Sequence, residues 1–231
     1  MAFYDGKGNA IEVDNKCPSR LNGADVIFFG DSNVYYSAGR EWGDIGSFYQ
    51  RLAAEFDINT WQNNGFPGLN SWQAYCTFSD WVTDEMVEKY NKESTIFLFW
   101  FGTNDKLASW QGAYNGSDLN PNAANGVGMV SDLLEAKFPK AFYAWIIPPA
   151  TDWSKWTGST EPDDRNMAEK MPLILENLAL HNFPYLDLYH QSGITPAMLS
   201  DGVHLGGGDE DYTPDAVYRA YRVLREYLMD K

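Results

Sequence analysis

The sequence predicts a single α/β domain built on a parallel sheet with helices on both faces. Five short apolar runs, each bounded by Gly, Pro, Asn or Asp, alternate with segments of helical length. Parallel strands need crossover connections, which helices supply, so this alternation favours a parallel sheet over a series of hairpins. A chain of 231 residues with 44% hydrophobic content suits one such domain better than two.

The predicted elements follow one another regularly along the chain. The strands are 25–29, 59–62, 95–101, 141–147 and 185–188, and the helices between them are 44–56, 71–90, 123–137 and 163–181. A last helix is expected to start at Pro214, with Thr213 as its N-cap and an apolar face towards the sheet. Residues 1–22 have no place in this pattern. We predict an N-terminal appendage at 1–22 and the α/β domain at 23–231.

Charge and hydropathy exclude several classes of partner. The chain has 17 basic and 32 acidic residues, and a net charge of −15 repels phosphate backbones and anionic membranes. No apolar run approaches the roughly 20 residues that span a bilayer, and the N-terminus lacks the pattern of a secretory signal. We expect no nucleic-acid partner, no membrane span, and a protein that stays in the cytoplasm or is exported by another route. Cys17 and Cys76 alone do not make a disulfide framework.

Ser32 directly follows the first predicted strand, in the tripeptide Gly30-Asp31-Ser32. Sheets with helices on both faces bind ligands at the carboxyl ends of their strands, which is where Ser32 is expected. A serine hydroxyl is a weak nucleophile at neutral pH, and it needs a base, an orienting carboxylate and donors for an oxyanion. The tripeptide alone is also typical of a turn that caps a helix, so the role of Ser32 depends on the rest of the sequence.

Two further loops place small polar residues at strand ends. Asn104 follows the strand 95–101, where its amide can donate to a developing negative charge or simply begin an Asx turn. The segment 63–68 follows the strand 59–62, and its glycines allow a backbone N–H to approach a ligand closely. An ordinary Gly-Pro turn is the alternative for this second loop.

Two histidines have an aspartate three residues earlier, a spacing at which the carboxylate can reach the ring and fix its tautomer. The pairs are Asp201 with His204, and Asp187 with His190. Asp187 ends a predicted strand, which favours a structural role. His204 lies in a glycine-rich loop before the last helix. We therefore predict that His204 is the base.

Together, in this order, the four segments resemble the SGNH hydrolase family, the GDSL-like lipases and esterases. The family blocks are a Gly-Asp-Ser turn, a glycine loop, a Gly-x-Asn-Asp loop and a C-terminal Asp-x-x-His, and all four occur between Gly30 and His204. The resemblance implies a three-layer α/β/α flavodoxin-like fold with a five-stranded parallel sheet. It also implies a catalytic triad of Ser32, His204 and Asp201.

The resemblance further implies an oxyanion hole. Its donors would be the N–H groups of Ser32 and Gly68 and the side chain of Asn104. Gly68 is preferred because it stands five residues after Asn63, which is the family spacing, and Gly65 is the alternative.

Two positions depart from the family pattern. Asn33 stands where Leu or Ile usually follows the serine, and Leu205 stands where Pro often follows the histidine. Neither has a catalytic role in the family, so the mechanism is unaffected: His204 takes the proton of Ser32 during attack on an acyl carbonyl and returns it to the leaving alcohol. The two departures leave the subfamily, and hence the substrate, open.

Tryptophans in predicted loops bear on the substrate. We predict that Trp110 and Trp153 bind substrate by stacking on sugar rings, with packing over the core as the alternative; Trp42, Trp72 and Trp156 also fall in predicted loops.

With family precedent, an acetylated carbohydrate is the predicted substrate, followed by a short-chain lipid or other small ester. An acyltransferase and a non-catalytic carbohydrate-binding relative are the alternatives from other classes. The mechanism requires no cofactor, and we find no Cys and His cluster with the spacing of metal ligands.

Overall fold

Five parallel strands form the central sheet of the protein. The computed structural model describes residues 3–4, 10–11, 19–39, 48–157, 163–199, 201–205 and 214–229. The strands are β1 Phe3–Tyr4, β2 Ala10–Ile11, β3 Asp25–Gly30, β4 Thr60–Gly65, β5 Thr95–Trp100, β6 Phe142–Ile147 and β7 Tyr185–Asp187. The sheet has the order β4-β3-β5-β6-β7, and every pair in it is parallel. All five strands predicted for the domain are therefore confirmed.

Helices connect the strands on both faces of this sheet. They are α1 Ser32–Gly39, α2 Phe48–Glu55, α3 Ser71–Trp81, α4 Asp84–Tyr90, α5 Leu107–Trp110, α6 Ala123–Lys137, α7 Trp153–Thr157, α8 Met167–Leu180, α9 Leu188–Gln191 and α10 Pro214–Met229. Helix α6 has the predicted bounds, and α10 begins at the predicted Pro214. The predicted N-cap Thr213 lies outside the described residues.

The predicted helix 71–90 is two helices, which corrects the sequence-based expectation. Val82 has an extended backbone, and the Thr83 side chain accepts a hydrogen bond from the Met86 N–H at 3.3 Å. Asp84 and Glu85 follow in the first turn of α4. A side-chain cap with acidic residues behind it is a strong start signal for a helix, so α4 starts anew here instead of continuing α3.

Two apolar layers cover the sheet, one on each face. Successive residues of β3 alternate between them: Phe28 packs with α10 and its neighbours, whereas Ile27 and Phe29 pack with α3, α6 and α8. All residues of β3 and β5 are buried, which explains their uninterrupted apolar sequences. With both faces covered, the polar residues that end the strands collect at the carboxyl edge of the sheet. The three-layer α/β/α fold is thus confirmed.

The N-terminal region contains two short strands that lie outside the five-stranded sheet. Strands β1 and β2 pair antiparallel in a small sheet of their own. Leu21 is already part of the main core, and the division into an appendage and a domain at residue 22 stays a prediction. Within the described ranges, no helix is long and apolar enough to cross a membrane.

The start of α1 lies directly against the end of β4. The Asn63 side-chain amide donates to the Val34 carbonyl at 3.0 Å, and its oxygen accepts the Gly65 N–H at 2.8 Å. A Cβ atom at Gly65 would lie 2.5 Å from the backbone nitrogen of Tyr35. The absence of a side chain at Gly65 therefore sets the distance between β4 and the helix that carries Ser32.

We expect Gly65→Ala to lower the free energy of unfolding by about 1–3 kcal/mol, the usual cost of overpacking a close contact. The atoms in the way belong to the α1 backbone and cannot rotate aside. Urea denaturation measures the effect. Phe66→Ala is the neighbouring control, because its side chain is 54% exposed and its loss should change stability by less than about 0.5 kcal/mol. A Gly65→Ala protein of wild-type stability would contradict this packing.

Candidate active site

Ser32 is the first residue of α1, and its hydroxyl meets a histidine from the other end of the chain. Ser32 Oγ lies 2.7 Å from His204 Nε2, and both residues are buried. The turn that presents Ser32 is fixed by Asp31, whose carboxylate accepts the Asn33 N–H at 2.9 Å. The predicted nucleophile and the predicted base are therefore in hydrogen-bonding contact.

Asp201 orients the ring of His204. Its Oδ2 lies 2.6 Å from His204 Nδ1, and its Oδ1 accepts the N–H groups of Val203 and His204, both at 2.8 Å. Burial acts to raise the pKa of Asp201, but these hydrogen bonds outweigh it and hold the pKa below its usual value. The carboxylate thus stays ionised at neutral pH and accepts a hydrogen bond from Nδ1–H, which leaves the Nε2 lone pair for the Ser32 hydroxyl.

The loop that carries His204 is attached to two other segments. Gly202 has φ +81°, and its carbonyl accepts the Asp152 N–H at 2.7 Å. On the other side of His204, the Leu205 N–H donates to the Asn33 side-chain oxygen at 3.1 Å. Asn33 therefore ties the nucleophile helix to the histidine loop, a link that the family's usual Leu or Ile has no polar atom to make.

The second Asp-His pair, Asp187 with His190, is bonded to no serine hydroxyl among the described residues. His190 Nδ1 lies 2.6 Å from Asp187 Oδ2, and the same carboxylate caps α9 by accepting the His190 N–H at 3.0 Å. The His190 side chain is 58% exposed. Among the described residues its ring contacts Asp187 and Tyr189 and no serine hydroxyl. The two pairs share a spacing, but only in the pair of Asp201 and His204 does a serine hydroxyl, among the described residues, lie at the second ring nitrogen.

The candidate oxyanion donors lie in two loops that are bonded to each other. Asn104 Nδ2 donates one hydrogen to the Leu69 carbonyl at 2.9 Å, which leaves its second hydrogen free to donate. Gly68 has φ +82° and is exposed, and its N–H has no hydrogen-bond partner among the described residues. The N–H of Gly65, the alternative donor, is already bonded to Asn63. This geometry favours Gly68 over Gly65.

Two buried aspartates follow the central strands and brace the helices behind them. Burial raises the pKa of Asp31 to about 6, against the lowering effect of the Asn33 backbone N–H. Asp105 accepts the Ser71 N–H at 3.1 Å and its hydroxyl at 2.7 Å, and burial raises its pKa as well. Asp105 thus attaches the loop of Asn104 to the start of α3.

The predicted substrate-binding role of Trp110 and Trp153 is wrong. The two side chains are 1% and 4% exposed: Trp110 belongs to the core, and the Arg165 guanidinium covers the Trp153 ring at 3.9 Å. Both residues lie in short helices, α5 and α7, that turn the indoles inward.

The aromatic residue at the site is Trp156. Its ring is 55% exposed, and its centroid lies 5.0 Å from that of His204 at an interplanar angle of 67°. Trp72 is half-buried in α3, and Trp42 lies outside the described residues. Within the described part of the chain, no three His, Cys, Asp or Glu side chains are grouped so that they could hold a metal ion.

Comparison with known proteins identifies the fold. No family model matches the sequence, and no curated protein is detectably similar to it. Solved structures do match. A GDSL-like lipase from Bacteroides thetaiotaomicron is 18% identical, with 89% of this chain and 88% of that chain covered and a TM-score of 0.56. A lipase/acylhydrolase from Enterococcus faecalis is also 18% identical, with coverages of 90% and 98% and a TM-score of 0.51.

An acetyl xylan esterase from Geobacillus stearothermophilus is 14% identical, with coverages of 90% and 95% and a TM-score of 0.55. Its match, like the other two, extends over nearly the whole of both chains. The chain therefore has the fold of the SGNH hydrolases, as the resemblance implies.

An organophosphorus probe that phosphonylates activated serines should label Ser32 alone. Attack by Ser32 Oγ on phosphorus expels fluoride from a fluorophosphonate, and this requires a base at Oγ. Intact-mass spectrometry should show one adduct in the wild type and in His190→Ala, and none in Ser32→Ala. His204→Ala should label at least about 100-fold more slowly. Rapid labelling of His204→Ala together with loss of labelling in His190→Ala would reverse the assignment of the base.

Proposed function

We propose that the protein is a serine esterase that hydrolyses small acyl esters, above all acetyl esters carried by a carbohydrate. The observation that carries the proposal is the continuous hydrogen-bonded series Ser32–His204–Asp201, with 2.7 Å and 2.6 Å between the bonded atoms. This series lies at the carboxyl edge of the sheet, next to two loops that hold candidate oxyanion donors.

The reaction follows from the three side chains. His204 Nε2 takes the Ser32 proton as Oγ bonds to the acyl carbon, and the imidazolium then gives that proton to the leaving alcohol as the C–O bond breaks. Water, activated by the same nitrogen, hydrolyses the acyl-enzyme and releases the acid. Asp201 stays ionised throughout and stabilises the imidazolium.

The oxyanion formed by each attack needs donors that are already in place. The Ser32 N–H lies at the first residue of α1, where backbone N–H groups have no partner within the helix. The Gly68 N–H and the second Asn104 amide hydrogen complete the proposed set. Donors fixed by surrounding structure stabilise the charge without having to reorganise during the reaction.

The position of Trp156 supports a ring-shaped alcohol. His204 delivers its proton to the leaving alcohol, so this part of the substrate has to lie beside the imidazole. Trp156 is in contact with that imidazole and exposes more than half of its surface. A flat apolar ring at this point suits the face of a sugar. One of the structures with this fold is an acetyl xylan esterase.

A short-chain lipid ester is the second candidate substrate, because two structures with this fold are named as lipases. Transfer of the acyl group to an alcohol would use the same acyl-enzyme. A preference for long over short acyl chains would distinguish a lipid ester from an acetylated sugar as the substrate. Product analysis with an added acceptor alcohol would distinguish acyl transfer from hydrolysis.

Replacing Asn104 by Ala should lower kcat by about 10²- to 10³-fold, the usual loss for one oxyanion donor. KM should change little, because the donor acts on charge that develops only in the transition state. Initial-rate kinetics on an ester that the wild type hydrolyses give both constants. An effect on KM alone would mean that Asn104 only binds the substrate.

The substrate class can be tested by comparing acetate release from acetylated xylo-oligosaccharides and from ethyl acetate. We expect kcat/KM to be higher for the sugar ester, and Ser32→Ala to release no acetate from either. Trp156→Ala should lower kcat/KM for the sugar ester by about 3- to 10-fold, which is the usual effect of losing one stacked aromatic ring. The kcat/KM for ethyl acetate should not change.

The matched control for Trp156 is Tyr185→Ala. Tyr185 is also an exposed aromatic residue, but it starts β7 and so lies at the opposite edge of the sheet. This variant should hydrolyse both esters like the wild type. Faster hydrolysis of octanoyl glycerides than of any acetylated sugar would favour the lipid candidate instead.

A further inference from the structure

A lysine without solvent exposure lies behind the loop that carries Asn104. Lys170 belongs to α8, and its side chain is 0% exposed. Its Nζ donates to the carbonyl oxygens of Gly102 at 2.6 Å, Asp105 at 2.9 Å and Thr103 at 3.3 Å. An ammonium has three N–H donors, so each is matched by one backbone carbonyl.

This arrangement is costly and therefore needs an explanation. Lysine is rarely buried, and a buried charge normally needs a partner of opposite sign. Among the described residues no carboxylate lies within ion-pair distance of Lys170 Nζ, and Asp105, Asp31 and Asp163 act on its charge only from further away. The ammonium instead neutralises the negative ends of three peptide dipoles, all of which belong to one four-residue segment.

We propose that Lys170 is a positioning residue that holds the segment 102–105 in the conformation in which Asn104 serves the oxyanion; this rests on the proposed esterase function. Lys170 binds the carbonyls of Gly102, Thr103 and Asp105, so the backbone is held on both sides of Asn104. The side chain of Asn104 is fixed separately, by the hydrogen bond that its amide donates to the Leu69 carbonyl. Lys170 touches no reacting atom and acts through the loop.

Among the described residues, Lys170 is the donor to the carbonyl groups of this segment, whereas its other contacts, such as that of Asp105 with Ser71, are made by side chains. Gly102 has φ +122°, which residues other than glycine rarely adopt, and β5 ends two residues earlier at Trp100. Without a donor at Nζ, three buried carbonyls would have no partner, a penalty that the loop could relieve only by turning them elsewhere. Any such turn moves Asn104.

Protonation of Lys170 should therefore appear in the pH dependence. Burial lowers its pKa to about 8, with the carboxylates of Asp105, Asp31 and Asp163 acting to raise the pKa and Arg165 acting to lower it. Above that pH the neutral amine has two N–H groups and a lone pair, so one of its three carbonyl contacts becomes repulsive. We expect kcat to fall as the pH rises through about 8.

Stability should not fall with kcat in this range. The pKa of Lys170 in the folded protein lies below its ordinary value of 10.5, so between the two the unfolded chain binds more protons than the folded one. The contribution of this group to stability then rises with pH across that window. A loss of kcat without a loss of stability distinguishes a displaced loop from unfolding.

The test is a double-mutant cycle between Lys170 and Asn104. Lys170→Met should lower kcat by about 10- to 100-fold with little change in KM, because a small displacement of a catalytic group has effects of this size. In an Asn104→Ala background the same change should cost much less, since the loop no longer holds a donor to position. Both constants are measured on an ester that the wild type hydrolyses.

Two further variants keep the test decisive. Lys170→Gln carries two amide donors and no ammonium; it should retain more activity than Lys170→Met and lose the decline of kcat above pH 8. If Lys170→Met does not fold, Lys170→Gln replaces it in the double-mutant cycle. Lys92→Met removes the lysine that pairs with Asp25 at the amino end of β3, opposite the site. That control should lose stability in urea but keep wild-type kcat.

The outcomes separate this inference from the function on which it rests. Wild-type kcat in folded Lys170→Met, or additive losses in the double mutant, would overturn the positioning role and leave the esterase proposal intact. An alkaline decline of kcat that persists in Lys170→Gln would also overturn it. A wild-type protein that hydrolyses no ester would overturn the proposed function and, with it, the role of Lys170.

Discussion

The hydrogen bond between Ser32 and His204 joins residues 172 positions apart, and much of the surrounding structure keeps these two side chains together. Gly65 lets α1 approach β4, which fixes where Ser32 stands. Asn33 then binds the backbone immediately after His204, and Gly202 attaches the same loop to residue 152. The bond is maintained from both of its ends by contacts that involve neither reacting atom.

The sequence was sufficient for the sheet and for the choice of three residues that meet at its edge, because both depend on local signals. Strands such as β3 and β5 are continuous apolar runs, and burial on both faces produces that pattern directly. The geometry brings Ser32, Asp201 and His204 together as expected. The break between α3 and α4 was missed although Thr83 and its acidic neighbours signal it, because an apolar periodicity runs across the break.

The sequence does not predict whether a side chain in a short helix or loop faces the core or the solvent. Trp110 and Trp153 occur among polar loop residues, which suggests exposure, yet α5 and α7 turn them into the core and leave Trp156 outside. The link between Asn33 and Leu205 likewise needs two distant segments to meet. Lys170 did leave a signal: it stands three residues after Met167 and four before Ile174, on the face of α8 that is buried. A lysine at an apolar position of a helix indicates a partner inside the fold.

In the proposed mechanism, the loop of Asn104 and its lysine also bear on how a chain with a net charge of −15 would stabilise an anion. Asp31 and Asp105 lie buried beside the site, and three carbonyls of the segment 102–105 add further negative ends. If those carbonyls faced the substrate, they would oppose the charge that develops on its oxygen. Directed at the Lys170 ammonium instead, their negative ends are compensated, and the proposed donors to the substrate are N–H groups. In this proposal the buried cation offsets part of the negative charge that Asp31, Asp105 and the three carbonyls bring to the site.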